Sequence, residues 1–187
     1  MHFAFVVSTI LELDKVSSGI RGVTPMLEST LKEILTIVKE PVIAGGFAFA
    51  HYTRPRMTID IDVIGIGKLP RFSKALLAKG YTHETNRLDN GLTLESFTKN
   101  KNLPNEEGID FMWFENEAFE KNVLSRAVSS EMLGFPVKIV SMEDLIIMKS
   151  LSSRTKDKAD LEALQEKKYD KQYVEDWLAV LKPREKH

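Results

Sequence analysis

The chain has 187 residues, of which 43% are hydrophobic and 28% are charged, and its formal net charge is −1. This size and balance predict one globular domain, or a domain with a small appendage, that buries a packed core. The near-zero net charge supplies no global basic field for nucleic acid, although a local basic patch stays open. The absence of cysteine excludes disulfides and thiolate zinc sites, and the four histidines show no metal-ligand spacing.

The apolar first segment, residues 1–13, does not fit a signal peptide, because it has no basic n-region and no small-residue cleavage site. It is also too short to cross a bilayer. We therefore expect this segment to pack as a strand or a helix, in a cytoplasmic protein that does not contact a membrane.

The rest of the chain predicts mixed helices and strands up to residue 140, followed by helices alone. Thr24 and Pro25 are typical of an N-cap and a first helical position. The predicted elements are a helix over 24–40, a strand over 42–44, a helix over 47–52, a strand over 58–64, a helix over 69–79 with Gly80 as its C-cap, strands over 92–98 and 108–114, a strand pair over 123–132 and 137–140, and helices over 142–151, 156–167 and 170–181. This order predicts an α/β core over residues 1–140 and a helical tail over 141–187 that packs on the core.

The most informative motif joins Gly45-Gly46 to Asp60 and Asp62. Carboxylates two residues apart on a strand project from the same face, and here apolar residues surround them. Because neighbouring carboxylates repel, a pair held together most naturally binds hard divalent cations through oxygen. The glycines offer backbone N–H groups at a turn that a phosphate can approach closely. Backbone N–H groups for phosphate beside metal-binding carboxylates are typical of sites for phosphoryl or nucleotidyl transfer.

Each of these features also has a purely structural interpretation. A glycine pair alone is most often a tight turn, and two acids on a strand are equally well explained as solvated charges at a sheet edge. Asp110 stands alone in the apolar strand 108–114 and, by itself, is more often structural. The order of all these features along one chain favours the catalytic interpretation.

Together, Ala44–Gly46, Asp60–Val63 and Asp110 resemble the nucleotidyltransferase superfamily with the DNA-polymerase-β-like catalytic core. The resemblance implies an α+β fold, in which helices flank a small mixed sheet and a short helical appendage follows. It implies that Asp60 and Asp62 hold two Mg²⁺ or Mn²⁺ ions, and that Asp110 completes one metal site and helps to activate the attacking hydroxyl. The implied reaction moves an NMP group from a nucleoside triphosphate, such as ATP, to a hydroxyl of RNA (tRNA included), protein or a small molecule.

A second block, Ser141–Lys149 followed by Ser153–Leu161, resembles the AbiEii-type branch, many of whose members are toxins of toxin–antitoxin pairs. The residues Arg56-Met57-Thr58 before the acids match the same branch. A toxin role and a cognate antitoxin are therefore further expectations from this resemblance.

Two cations of the second block, Lys149 and Arg154, are predicted to bind the triphosphate together with Gly45 and Gly46. Lys149 follows an apolar run, so we expect a half-buried stem and an ammonium directed at the nucleotide. Both cations are alternatively solvent-facing helix charges. The competing function is an inactive module of the same fold that binds nucleotide or a partner protein.

Other charged residues near these motifs have less specific interpretations. Asp157 and Asp160 are three residues apart on one helical face, where we expect ion pairs with Arg154 or Lys156. Arg54 and Arg56 precede the acid strand. Contact with phosphate or acceptor and simple solvation explain these two arginines equally well.

Overall fold

The computed structural model describes residues 23–54, 58–65, 69–88, 91–99 and 108–181. Within these ranges the chain forms seven helices and one seven-stranded sheet, which confirms the predicted α+β class. The elements in chain order are α1 (Val23–Ile37), β1 (Val42–Ile43), α2 (Gly45–Tyr52), β2 (Ile61–Ile64), α3 (Leu69–Ala78), β3 (Thr82–Arg87), β4 (Leu92–Thr98), β5 (Gly108–Phe114), α4 (Glu117–Arg126), β6 (Val128–Met132), β7 (Phe135–Ile139), α5 (Met142–Ser150), α6 (Thr155–Gln165) and α7 (Lys171–Leu181).

The sheet has the strand order β3-β4-β5-β2-β1-β7-β6. The pairs β2–β5 and β1–β7 are parallel, and the other pairs are antiparallel. In the central pair, Asp62 of β2 lies opposite Asp110 of β5. The register of the sheet therefore brings two of the predicted acids onto neighbouring strands.

The alternation of side chains divides the sheet into a covered face and a face with a cleft. Phe97 and Phe111 project to the covered face, where the Phe72 ring of α3 lies 5.7 Å and 4.7 Å from them between centroids. Helix α1 packs against α3 and β2 on the same core. Asp110 projects to the opposite face, so this face is where the sheet can meet a ligand.

The tail helices pack on the sheet domain through α2 and α4. Helix α5 contacts α2, α6 and α7, and its buried apolar residues are Leu145, Ile146, Ile147 and Met148. Ser141 caps α5, because its Oγ accepts a hydrogen bond from the Asp144 N–H at 3.2 Å. All three predicted tail helices are confirmed, with ends that differ from the prediction by at most two residues. In the part of the chain described, no helix is long and apolar enough to cross a membrane.

The predicted strand over 123–132 is wrong in its first half. Residues up to Arg126 belong to α4, and β6 begins at Val128. Asn116 starts the helix, since its side chain accepts from the Phe119 N–H at 3.0 Å, and acidic residues occupy the first turn. The cap and the acidic residues near the helix dipole therefore stabilise the helix by more than the strand preference of the β-branched Val123 opposes it. Strand β3 was not predicted, because all its residues are exposed and show no apolar alternation.

Several element boundaries also differ from the prediction: the first helix ends at Ile37, β1 ends at Ile43 and β7 begins at Phe135. Helix α1 begins at Val23, before the predicted cap Thr24. Gly45 and Gly46 form the first turn of α2 rather than a turn ahead of it, and β2 begins at Ile61, so Asp60 precedes the strand. The predictions for residues 1–13 and for Arg56 lie outside the described residues.

Candidate active site

The first turn of α2 lies directly against the carboxylate of Asp62. The Gly46 N–H donates to Asp62 Oδ2 at 3.4 Å, and the Ala44 N–H donates to the Asp62 carbonyl at 2.9 Å. Gly45 has a φ of +53°, and a Cβ there would lie 1.8 Å from Asp62 Oδ2. A Cβ on Gly46 would lie 2.7 Å from Oγ1 of Thr58. Close approach of the backbone to these side chains therefore requires both glycines.

The structure brings the three predicted acids to the seam between β2 and β5. Asp62 and Asp110 are register partners in parallel strands, so their side chains share a face. Ser96 of β4 donates from its Oγ to Asp110 Oδ1 at 2.7 Å. Asp60 lies before β2 and accepts a backbone hydrogen bond from Gly108 at the start of β5.

Burial and mutual repulsion raise the pKa of these acids. Burial raises the pKa of Asp62 to about 7, and the charges of Asp110 and Asp60 add to the rise, while the Gly46 hydrogen bond and the Arg154 charge oppose it. Burial likewise raises the pKa of Asp60 and of Asp110, and the charge of Asp60 contributes to the rise at Asp110. The seam therefore carries more negative charge than its protein surroundings neutralise.

The chemistry of this donor set fits a divalent cation that takes part of its coordination shell from another ligand. Among the residues described, no three His, Asp or Glu side chains are grouped so that they could hold a metal ion by themselves. Mg²⁺, however, commonly takes one or two protein carboxylates and completes its shell with phosphate oxygens and water. Asp62 and Asp110 meet this requirement, because a cation between them would relieve the repulsion that raises the pKa of Asp62.

A cleft of about 610 Å³ lies over the seam, between the sheet and the tail helices. Gly45, Asp62 and Asp110 line it from the core, and Lys149 and Arg154 line it from the tail. The rest of the wall is mainly apolar and includes Leu92, Leu94, Met112, Leu145 and Met148. The volume and the mixed lining suit a small-molecule ligand with one charged end and one apolar end.

Lys149 lines the cleft, but its ammonium is held by two buried carboxylates. Its Nζ donates to Asp157 Oδ1 at 2.8 Å and to Asp160 Oδ2 at 2.6 Å, and the side chain is only 5% exposed. Lys149 is thus more deeply buried than the sequence predicts. The expected pairing of Asp157 with Arg154 is confirmed, and Lys149 is an additional partner that was not predicted.

Arg154 is the cation that connects the tail to the acids of the seam. Its Nε donates to Asp157 Oδ2 at 2.6 Å, while 70% of its side chain stays exposed. Burial lowers the pKa of Arg154, but the hydrogen bond and charge of Asp157, followed by the charges of Asp62 and Asp110, raise it above its usual range. Arg154 therefore remains charged beside both groups of acids.

Several polar residues of the site were missed by sequence reasoning, among them Ser152, which lines the cleft and bonds to Asp157. Ser96 bonds to Asp110, and Asn86 and Arg87 of β3 line the cleft. Ser96 is recognisable only once the register of β4 on β5 is known, and the two β3 residues belong to the strand that was not predicted. Arg54, by contrast, is exposed and lies outside the lining of the cleft.

Residues 26–181 match the family described as "Nucleotidyl transferase of unknown function (DUF2204)". The chain belongs to this family. The predicted membership of the nucleotidyltransferases is therefore confirmed, whereas the AbiEii-type branch stays a prediction. No curated protein matches this nucleotidyl transferase.

Solved structures similar to this nucleotidyl transferase include two of ANT(2'')-Ia. The solution structure of this antibiotic-resistance factor is 16% identical with a TM-score of 0.52, over 81% of this chain and 89% of that chain. The crystal structure of ANT(2'')-Ia with adenylyl-2''-tobramycin is 19% identical with a TM-score of 0.49, over 82% of this chain and 95% of that chain. At these identities the similarity concerns the fold alone.

Proposed function

We propose that this nucleotidyl transferase is a metal-dependent enzyme that moves an NMP group from a nucleoside triphosphate to an acceptor hydroxyl. The observation that carries the proposal is the seam, where Asp62 and Asp110 share one face against the first turn of α2. Gly45, Asp62, Asp110 and Arg154 line one cleft, which supports a common role in binding a charged substrate.

The core residues would hold the metal ions and position the acceptor. Asp60, Asp62 and Asp110 are the proposed ligands of two Mg²⁺ or Mn²⁺ ions, which when bound neutralise charge on the phosphates. Asp110 also accepts the proton of the acceptor hydroxyl, a role that its raised pKa favours. Ser96 holds Asp110 in a single orientation through the 2.7 Å hydrogen bond.

The remaining residues would bind the triphosphate. The backbone of Gly45 and Gly46 lies close to the α-phosphate, and Lys149 and Arg154 supply the positive side of the cleft. The acceptor oxygen forms a bond to the α-phosphorus as the bond from that phosphorus to the β-bridging oxygen breaks, so pyrophosphate leaves. Positioning and charge carry most of the catalysis in such a reaction.

We further propose how the chain is organised and what its biological role is. Residues 1–140 form the catalytic core and residues 141–187 a helical tail, a division supported by the cleft that Asp62 and Arg154 line from the two sides. ATP is one candidate nucleotide, and the acceptor is a hydroxyl of RNA such as tRNA, of protein or of a small molecule. The resemblance of Ser141–Leu161 supports an AbiEii-type toxin that acts in the cytoplasm and is neutralised by a cognate antitoxin.

A transfer assay tests the reaction directly. The wild type is incubated with each α-labelled ribonucleoside triphosphate, Mg²⁺ or Mn²⁺, and total cellular RNA and protein, and labelled products and pyrophosphate are measured. We expect transfer that needs the metal and that falls at least about 100-fold in Asp62→Asn and Asp110→Asn, since each removes charge at the reacting phosphate. Asp176→Asn, on the exposed side of α7, is the matched control and keeps full activity.

Thermal unfolding with the same ligands separates the enzyme from the inactive module. A ligand that binds only the native state at a hundredfold excess over Kd stabilises it by about 2.7 kcal/mol. A rise in Tm without any transfer would support the inactive nucleotide-binding module. The absence of both transfer and a Tm shift, with all four triphosphates and both metals, would overturn the proposed function.

A further inference from the structure

Asp157 joins three hydrogen-bond donors at the start of α6. Its Oδ1 accepts from Lys149 Nζ at 2.8 Å, and its Oδ2 accepts from Ser152 Oγ and from Arg154 Nε, each at 2.6 Å. Asp157 is only 2% exposed, so these bonds rather than solvent determine its orientation. Although burial alone raises its pKa, the bonds from Lys149, Ser152 and Arg154 and the charge of Lys149 lower the pKa of Asp157 to about 2. Asp157 therefore stays ionised.

Lys149 is itself fixed by a second carboxylate. Asp160 accepts from its Nζ at 2.6 Å, so the ammonium lies between two acids in a nearly dry environment. A lysine ammonium has three donors, and two of them are used here. The cluster of Lys149, Arg154, Asp157 and Asp160 contains two positive and two negative charges, so its balance depends on both cations.

Arg154 is held at one end and exposed at the other. The bond from its Nε to Asp157 anchors the guanidinium, while 70% of the side chain remains exposed to solvent and lines the cleft. The charges of Asp62 and Asp110 reach it across the cleft. A free arginine side chain samples many rotamers, so an anchored guanidinium loses less conformational entropy when it binds a phosphate.

We propose that Lys149 and Asp157 are positioning residues, which hold the Arg154 guanidinium in the cleft to receive the triphosphate, and that Lys149 does not bind phosphate directly. The inference rests on the proposed function and deepens it. Lys149 is then not a ligand of the nucleotide but the first residue in a chain of contacts. In this chain Lys149 fixes Asp157, Asp157 fixes Arg154, and Arg154 presents its terminal amino groups to the substrate.

A double-mutant cycle on phosphate binding tests this chain of contacts. Inorganic tripolyphosphate with Mg²⁺ is titrated calorimetrically into the wild type, Asp157→Asn, Arg154→Gln and the double variant, because this probe reports on the phosphate subsite without a base. We expect each single variant to weaken binding about 10- to 100-fold, as expected for losing a charged hydrogen bond. The double variant should bind no more weakly than Arg154→Gln, because Asp157 acts only through Arg154.

Asp160→Asn is the matched control for loss of a buried carboxylate. Asp160 shares Lys149 with Asp157, but the bond from Arg154 Nε goes to Asp157. Asp160→Asn should therefore lower the stability of the fold as Asp157→Asn does, yet keep the Kd for tripolyphosphate within about threefold of the wild type.

Two variants of Lys149 test the first contact of the chain. Lys149→Arg, which keeps the charge, should retain most of the affinity, whereas Lys149→Met should weaken binding by about as much as Asp157→Asn. If Lys149→Met does not fold, Ser152→Ala replaces it, because it removes the bond to Asp157, together with the bond that Ser152 Oγ accepts from the Arg154 N–H, without leaving a buried charge unpaired. Ser152→Ala should weaken tripolyphosphate binding a few-fold and have no effect in the Arg154→Gln background.

Distinct outcomes would overturn the inference. Wild-type affinity in Asp157→Asn, equal weakening by Asp157→Asn with and without Arg154, or equal weakening by Asp160→Asn would each show that Asp157 does not act through Arg154. These results would leave the proposed function intact. If the wild type binds neither tripolyphosphate nor any of the four ribonucleoside triphosphates, both the proposed function and the inference are wrong.

Discussion

Two groups of aspartates lie on opposite sides of the cleft, and the pKa values of Asp62 and Asp157, one from each group, are shifted in opposite directions. On the sheet, burial and like charge raise the pKa of Asp62 to about 7. On the tail, the bonds and charge of the neighbouring cations overcome burial and lower the pKa of Asp157 to about 2. Burial alone therefore does not decide how these carboxylates ionise; the supply of positive charge does.

These opposite pKa shifts indicate different roles for the two groups. The tail group is electrically complete without a ligand, because Lys149 and Arg154 meet Asp157 and Asp160. The sheet group is incomplete, because Asp62 and Asp110 repel each other and Arg154 only partly offsets the repulsion. The tail group therefore contributes to folding, while the sheet group lowers the stability of the free protein, as expected if it forms the proposed cation site.

Removing Lys149, the buried cation of the tail, should give the largest loss of stability. It is also the most direct test of the difference between the two groups of acids. Lys149→Met leaves Asp157 and Asp160 without their shared partner, and breaking a buried ion pair in this way costs about 3–5 kcal/mol. Urea unfolding at pH 7 measures the loss. The deficit should shrink towards pH 4, since the unpaired carboxylates can then take up protons.

The control for this variant is Lys158→Met, an exposed position on the same helix α6. Its free energy of unfolding should stay within about 0.5 kcal/mol of the wild type. If Lys149→Met is as mild as this control, the tail group is not held together by its ion pairs, and the two groups of acids do not differ as described.

The sheet group should be sensitive to the backbone that supports it. Gly45→Ala combines a positive φ with a Cβ 1.8 Å from Asp62 Oδ2, so we expect a loss of about 3 kcal/mol or more. Gly80→Ala is the matched control, because Gly80 also has a positive φ but its Cβ would meet nothing within 4 Å. This control should cost about 1–2 kcal/mol, and chemical denaturation of the two variants isolates the clash. Equal losses would mean that the approach of Gly45 to Asp62 is unimportant.

The pH dependence of stability should have opposite signs in the two groups. The folded-state pKa of Asp62 is raised to about 7 from a usual value of 3.8, so its contribution is present below 3.8 and is lost as pH rises through 7. Asp62→Asn should therefore raise the free energy of unfolding at pH 8 by on the order of 1–2 kcal/mol, with little change at pH 4. Added Mg²⁺ with a triphosphate should raise the Tm of the wild type more than that of this variant.

Asp157→Asn is the counterpart of that experiment on the tail. The folded-state pKa of Asp157 is lowered to about 2, so its contribution is present above the usual value of 3.8 and is lost as pH falls through 2. Asp157→Asn should therefore destabilise the protein at neutral pH, with the deficit shrinking as pH falls. Destabilisation by both asparagine variants at pH 8 would contradict the contrast between the two groups.

The smallest effect is expected from the hydroxyl that supports the sheet acids. Ser96→Ala removes the 2.7 Å bond to Asp110 and should cost about 1 kcal/mol of folding free energy. Because that bond lowers the pKa of Asp110, its loss should move the acid limb of the pH profile of kcat/KM to higher pH. Ser129→Ala on the exposed side of β6 is the control and leaves the profile unchanged. An unshifted profile in Ser96→Ala would remove Asp110 from the role of general base.

Sequence reasoning was most accurate where the signal is local. The strands 92–98 and 108–114 and the three tail helices follow the periodicity of their own apolar residues and are confirmed. The prediction is wrong over 123–126 because the cap at Asn116 lies outside the stretch that looks like a strand. Strand β3 escaped prediction because its structure comes from pairing with β4 and not from its own exposed residues.

The sequence by itself supplied the candidate site residues and their order, because a glycine pair, two acids two residues apart and a more distant third acid form a recognisable pattern. Only the tertiary structure decided which charges meet. Lys149 and Arg154 look alike along the chain, yet packing of α5 against α6 buries the first between two carboxylates and leaves the second in the cleft. Ser96 meets Asp110 only through the register of two strands. Such partners are set by distances in space, which a linear sequence does not record.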